Sequence, residues 1–325
     1  MMQRIPARRL LGALIATFLA LGCTPVPPHP EIDSLEQGFS GRQARAQMKS
    51  LEDLYPRFPR SRNDKIARAY LSREFRLTGA RVRVLEEGDR RHLIAEQKGL
   101  STDVVLLVAA YPSLRSGARV DDSGSALLLE FARVFGSDRL PYTLRFALAE
   151  TRPVPVSPAD GPAGEDTLWQ PVLGPVEARV GLSEAGHSLA RAIEAEGETS
   201  RVRAVIAFDT TSRPRQRFAR DLRSHPEFRK LFWQRAAELG ADSMFPHDGH
   251  WTSPDSLQLG FRERSMDRVL ALVHEPVSEF DPRGPAMRRD AGEISLEMFD
   301  SVGTVSVEAL LTLMRRLEKV DAFSR

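Results

Sequence analysis

Residues 41–325 are expected to fold as one α/β domain, three layers deep (αβα), around a mixed and largely parallel sheet. Two observations predict this. Helical and strand-like hydrophobic periods alternate along the chain, the pattern of strands joined by crossover helices. Asp103–Ala110 (DVVLLVAA) and Thr143–Glu150 (TLRFALAE) are near-continuous apolar runs, as expected of strands covered on both faces. Length and composition agree: 325 residues, 42% of them hydrophobic, are ample for a large core. A single cysteine excludes an intramolecular disulfide framework and a Cys-based zinc site. With 46 basic and 44 acidic residues the net charge is +2, so no nucleic-acid partner is indicated.

The elements follow in order. Gly41–Leu54 and Asn63–Thr78 have the period of amphipathic helices. Arg81–Leu85 and His92–Gln97 read as a strand pair around the turn Glu86-Glu87-Gly88-Asp89. After the strand Asp103–Ala110 comes a helix, Ser123–Phe135, whose start is expected to be capped by Asp121, Asp122 and Ser123. The strand Thr143–Glu150 leads into a long loop rich in Pro and Gly, Arg152–Pro175. A helix near Gly186–Ala195, a strand Val202–Asp209 and a helix His225–Leu239 follow. A polar loop to about Pro254, a strand Arg268–His274 and a closing helix Leu296–Leu317 complete the chain. There is no internal repeat. Sites in such sheets lie at the C-terminal strand ends, here Ala109–Ser113, Glu150–Thr151 and Asp209–Thr210.

The N-terminus reads as an address. Arg4, Arg8 and Arg9 precede an apolar run, Leu10–Leu21, too short to span a bilayer comfortably. Gly22 and then Cys23 follow. Residues 1–22 resemble a bacterial lipoprotein signal, which implies that the Cys23 thiol carries the lipid and becomes the new N-terminus. Residues 23–40, opening with TPVPPHP after the cysteine, would then be a stiff tether. The expected location is the bacterial cell envelope, lipid-anchored, on an outer membrane facing the periplasm or the cell surface.

The three strand ends, in that order, resemble the zinc exopeptidase family of bacterial leucyl aminopeptidases and glutaminyl cyclases. The matching segments are Ala109-Ala110-Tyr111-Pro112-Ser113, Gly117-Ala118-Arg119-Val120-Asp121-Asp122-Ser123-Gly124 running into Leu128-Leu129-Glu130-Phe131-Ala132-Arg133, Arg145-Phe146 through Glu150-Thr151, and Ile206-Ala207-Phe208-Asp209. The resemblance implies a site in which zinc polarises a carbonyl or activates water and a Glu moves the proton. Its ligand positions, however, fall on Ala110, Pro112, Val120, Thr151 and Met287; only Asp209 keeps a ligand type. Catalytic zinc needs three N, O or S protein ligands, so no metal and no other cofactor is expected. The acids that the glutaminyl cyclase branch uses for proton handling match Glu150, Asp209 and Asp255.

These three acids have two readings: a working acid–base set, or remnants held by capping and by ion pairs with the abundant Arg. His247-Asp248-Gly249-His250 is the one cluster with metal-ligand character, and a solvated loop is the alternative. Asp122-Ser123-Gly124 has the composition of a serine nucleophile, but a helix cap accounts for it better. The lone His187 and His274 are expected to be structural, and Met244–Trp251 is a candidate pocket lining. Three functions remain open. The first is a degenerate aminopeptidase or cyclase that binds peptide N-termini or another envelope ligand without zinc-dependent turnover. The others are an enzyme with a rebuilt site and a structural envelope lipoprotein.

Overall fold

A computed structural model describes residues 38–112, 122–136, 139–154, 179–209, 217–249, 251–252, 256–274 and 296–323. Cys23, the apolar run Leu10–Leu21, Asp121, His250, Asp255 and Met287 lie outside the described residues, as does most of the Pro-rich loop.

The elements are α1 (Gly41–Glu52), α2 (Arg62–Leu77), β1 (Arg81–Glu87), β2 (Arg90–Gln97), β3 (Val104–Pro112), α3 (Ser123–Phe135), β4 (Thr143–Thr151), β5 (Pro153–Val154), β6 (Arg179–Val180), α4 (Leu182–Ala195), β7 (Val202–Phe208), β8 (Phe218–Asp221), α5 (Pro226–Glu238), β9 (Trp251–Thr252), α6 (Gln258–Arg262), β10 (Val269–His274) and α7 (Leu296–Phe323). Eight strands form one sheet in the order β1-β2-β4-β3-β7-β10-β8-β9. β4, β3, β7 and β10 are mutually parallel, and antiparallel pairs flank them on both sides. The expected mixed α/β sheet is therefore present.

Alternation along the central strands assigns the two faces. Leu106, Val108, Ala147, Val205, Ala207 and Val269 join one core with Ala185, Leu189 and Ile193 of α4 and Phe261 of α6. On the other face Phe146 stacks on Phe75 of α2, with ring centroids 5.9 Å apart, and Phe208 meets Phe131 of α3 at 5.3 Å. The first turn of α3 sits hard against the sheet. A Cβ at Gly124 would lie 2.8 Å from the Ala109 Cβ and 3.0 Å from the Phe208 carbonyl oxygen, so only glycine permits this approach. Phe39 and Ser40, at the end of the expected tether, pack on the domain. Phe39 meets Phe131 at 5.5 Å, and the Ser40 N–H donates to Glu130 at 2.8 Å.

Several local expectations change. Glu86 and Glu87 belong to β1, leaving a tight Gly88-Asp89 turn. α4 begins at Leu182, which places His187 inside the helix rather than at its start. β9 interrupts the segment expected as a polar loop, and β8 and α6 fall in segments with no expected element; each is five residues or fewer, too short to carry a period. Asp122 stands at the N-cap of α3 but makes no side-chain cap bond; its carboxylate is engaged elsewhere, as described next.

Candidate functional site

The sheet brings the predicted strand ends side by side. Tyr111 pairs with Glu150, and Ala109 pairs with Phe208, so the C-terminal ends of β4, β3 and β7 are neighbours. Register also decides which side chains share a face. Glu150 lies on the Phe146 side, toward α2 and α3. Asp209 follows Phe208, and its N–H donates to the Leu272 carbonyl at 3.3 Å. The two acids therefore sit two strands apart, about 10 Å in the plane of the sheet.

Glu150 is buried, and both its oxygens are occupied. Oε2 accepts from Arg68 Nη2 at 2.8 Å and from the Arg91 backbone N–H at 2.8 Å. Oε1 accepts from Arg152 at 3.3 and 3.4 Å. Arg152 in turn holds Asp89 at the β1–β2 turn. Arg68 comes from α2, where Asp64, Ala67, Arg68, Leu71 and Phe75 make up the buried stripe. One turn earlier, Asp64 accepts from Arg68 Nε at 2.8 Å, the i,i+4 pairing that helical geometry favours. A buried carboxylate is tolerated only when paired and hydrogen-bonded in this way.

A second guanidinium fills the space beside it. Arg57 and Asp122 are both fully buried, and Arg57 Nη2 lies 2.6 Å from Asp122 Oδ1. Burial opposes the Arg57 charge, but the neighbouring Asp122 carboxylate holds its pKa above the ordinary arginine value. The Tyr111 ring lies between the two cations, 5.1 Å from the Arg57 guanidinium and 4.5 Å from that of Arg68, with the π-face contacts that cations seek. Its hydroxyl donates to Asp64 at 2.8 Å, and burial raises its pKa. Asp122 thus serves as the counter-ion of Arg57, not as a helix cap.

On the opposite face the Glu150 backbone N–H donates to His92 Nδ1 at 3.2 Å. With Nδ1 accepting, the neutral ring carries its proton on Nε2 and donates to Ser188 Oγ at 2.9 Å; Ser188 donates to Glu87 at 2.7 Å. Burial, and then the charges of Arg90 and Arg68, depress the His92 pKa to about 3. Ser188 gives its proton to a carboxylate, and the imidazole donates to its oxygen. That polarity is the reverse of what a serine nucleophile requires.

Of the loop histidine cluster, His247 and Asp248 lie at the surface. His247 is 64% and Asp248 91% exposed at the side chain; Asp242 is 3.6 Å from His247, and Arg217 is 3.8 Å from Asp248. His187 faces Glu263 at 3.4 Å.

These helices and strands define a protein with the zinc-exopeptidase fold. Similar solved structures include the glutaminyl cyclase of an Acidobacteriales bacterium (TM-score 0.64, 15% identity, covering 88% of this chain and 98% of that one). Others are the Porphyromonas gingivalis glutaminyl cyclase (0.64, 19%, 84% and 98%) and a Zn-dependent exopeptidase from Parabacteroides distasonis (0.63, 16%, 86% and 98%). At these identities the likeness establishes the fold. No family model matches the sequence, and no curated protein matches it.

The zinc that this fold implies does not fit the described residues. Position 110 offers a methyl group and Pro112 no donor atom. The buried Thr151 turns its hydroxyl to the Tyr111 carbonyl at 3.4 Å. Among the described residues, no group of three His, Cys, Asp or Glu could hold a metal. No catalytic or metal-ligand motif in the sequence marks Arg57, Arg68, Arg152 or His92. One signal was available for Arg68: it occupies an apolar-stripe position of an amphipathic helix, one turn after an Asp.

Proposed function

We propose that this chain is a lipid-anchored envelope protein whose zinc-exopeptidase-fold domain has no zinc-dependent turnover and serves as a non-catalytic scaffold. The observation that carries this reading is the occupancy of the Glu150 carboxylate. A general base must be able to reach and accept a substrate proton, whereas Glu150 is buried and bonded to Arg68, Arg152 and the Arg91 amide. The same bonds remove Glu150 as the acceptor for the ammonium of a peptide N-terminus. That favours the scaffold over a peptide-binding cleft. Cys23 supplies the proposed anchor, to a membrane of the bacterial envelope.

Elemental analysis of the purified full chain, combined with peptidase and glutaminyl cyclase assays, tests this reading. Zinc well below one equivalent and no Glu150-dependent turnover are expected. Stoichiometric zinc, together with activity abolished by Glu150→Gln, would overturn it and favour an active enzyme with a rebuilt site.

A further inference from the structure

The β8–β9 edge of the sheet carries a surface that the site does not use. Trp251 is 51% and Leu222 61% exposed. They sit close together, because Arg220 pairs with Trp251 across the ladder and the Leu222 N–H donates to the Thr252 carbonyl at 2.9 Å. The guanidiniums of Arg229 and Arg220 lie 4.5 and 5.6 Å from the Trp251 ring centroid. Arg262 donates to the Arg223 carbonyl, which brings two more cations to this edge. The acid within the stretch, Asp221, is turned inward to Ser224 and Gln258. Among the described residues, Glu227 on α5 and Glu263, just past the end of α6, are exposed acids nearby, and Glu263 faces His187.

We infer that this edge is a docking surface for an anionic lipid bilayer, with Trp251 and Leu222 entering the headgroup layer and Arg220, Arg223 and Arg262 meeting lipid phosphates, while Arg229, bonded to the Asp221 and Ser224 carbonyls, backs the Trp251 ring. Trp suits the membrane–water interface because one side of its ring is apolar and the N–H end is wet. Clustered cations supply the attraction to an anionic leaflet. Two apolar side chains are too few for the centre of a stable protein–protein interface, which buries about 800 Å² per partner; they suffice for shallow insertion. The inference rests on the proposed anchor only in that the anchor keeps the domain near a bilayer.

The full chain mixed with vesicles of phosphatidylcholine, alone or with phosphatidylglycerol, separates the two ideas. Flotation with the neutral vesicles reads the N-terminal anchor. Quenching of tryptophan emission by brominated acyl chains reads the edge, since only the signal lost in Trp251→Phe is counted, which removes the contributions of the buried Trp233 and of Trp169. Quenching should be at least twofold stronger with phosphatidylglycerol, should fall in 0.5 M salt as exposed charges are screened, and should fall in Arg220→Gln/Arg223→Gln. Flotation without any Trp251-dependent quenching overturns the docking surface and leaves the anchor standing. Quenching on anionic vesicles without flotation on neutral ones supports the surface and overturns the anchor.

Discussion

The two ends of β4 solve the same electrostatic problem with opposite signs. At the start of the strand a buried cation, Arg145, is held by Glu96 at 2.7 Å and Glu198 at 2.6 Å, and both acids keep some solvent contact. At its end a buried anion, Glu150, is held by Arg68 and Arg152. The first cluster extends outward: Glu198 also meets Arg83 at 3.1 Å and Arg201 at 3.0 Å. The second extends inward, to Asp64 and Tyr111 and alongside the fully buried Arg57–Asp122 pair. The difference teaches where a lost partner can be replaced. Water and spare arginines can rescue the acids around Arg145, whereas the acids around Arg68 have far less access to either.

Removing each cation tests that contrast. Arg68→Met should have the largest effect, about 3–5 kcal/mol of unfolding free energy, because it strips the buried Asp64 of its cation and leaves the buried Glu150 only the longer Arg152 contact. Denaturant unfolding monitored by circular dichroism measures it, and a loss below about 1 kcal/mol, the usual worth of a surface pair, would contradict the assignment. Arg145→Met should cost less, about 1–3 kcal/mol, since each stranded acid is partly hydrated and Glu198 retains two other cations. A larger loss than for Arg68→Met would reverse the comparison.

The third effect is read as a slope with pH, not as a loss at one pH. The folded-state pKa of His92 is depressed to about 3, so between pH 6.5 and 3 the unfolded chain binds a proton that the folded chain refuses. Stability from this group is complete above about pH 6.5 and is lost as the pH falls toward 3. His92→Gln, which keeps an acceptor for the Glu150 amide, should reduce the acid-side slope of unfolding free energy by up to one proton. An unchanged slope would mean that His92 is not neutral in the fold.

The fold was legible in the sequence because its evidence is periodic. DVVLLVAA and TLRFALAE are recognisable as doubly covered strands wherever they occur, and the glycine after Asp122-Ser123 marks the close approach of α3 to β3 and β7. Strand-end positions were legible too: Glu150 lies at the end of β4 and Asp209 directly follows β7. What Glu150 does there was not legible, since its partners are 82, 59 and 2 residues away along the chain and all three are arginines among many, one of them bonding through its backbone N–H. Whether two strand-end acids share a face depends on register, and a motif does not encode register across intervening crossovers. The short β8 and β9, which expose Trp251, had too few residues to announce themselves.

The hydrogen-bond thread from the Glu150 amide through His92 and Ser188 to Glu87 has one more consequence. It joins β4, β2, α4 and β1, and every link donates in the same direction. Sliding β2 by one residue would turn His92 to the opposite side of the sheet, leaving the amide, the hydroxyl and the ring without their partners at once. Hydrophobic strands alone would accept neighbouring alignments with modest loss. This polar thread makes one alignment of the N-terminal hairpin against the central sheet far better than the next.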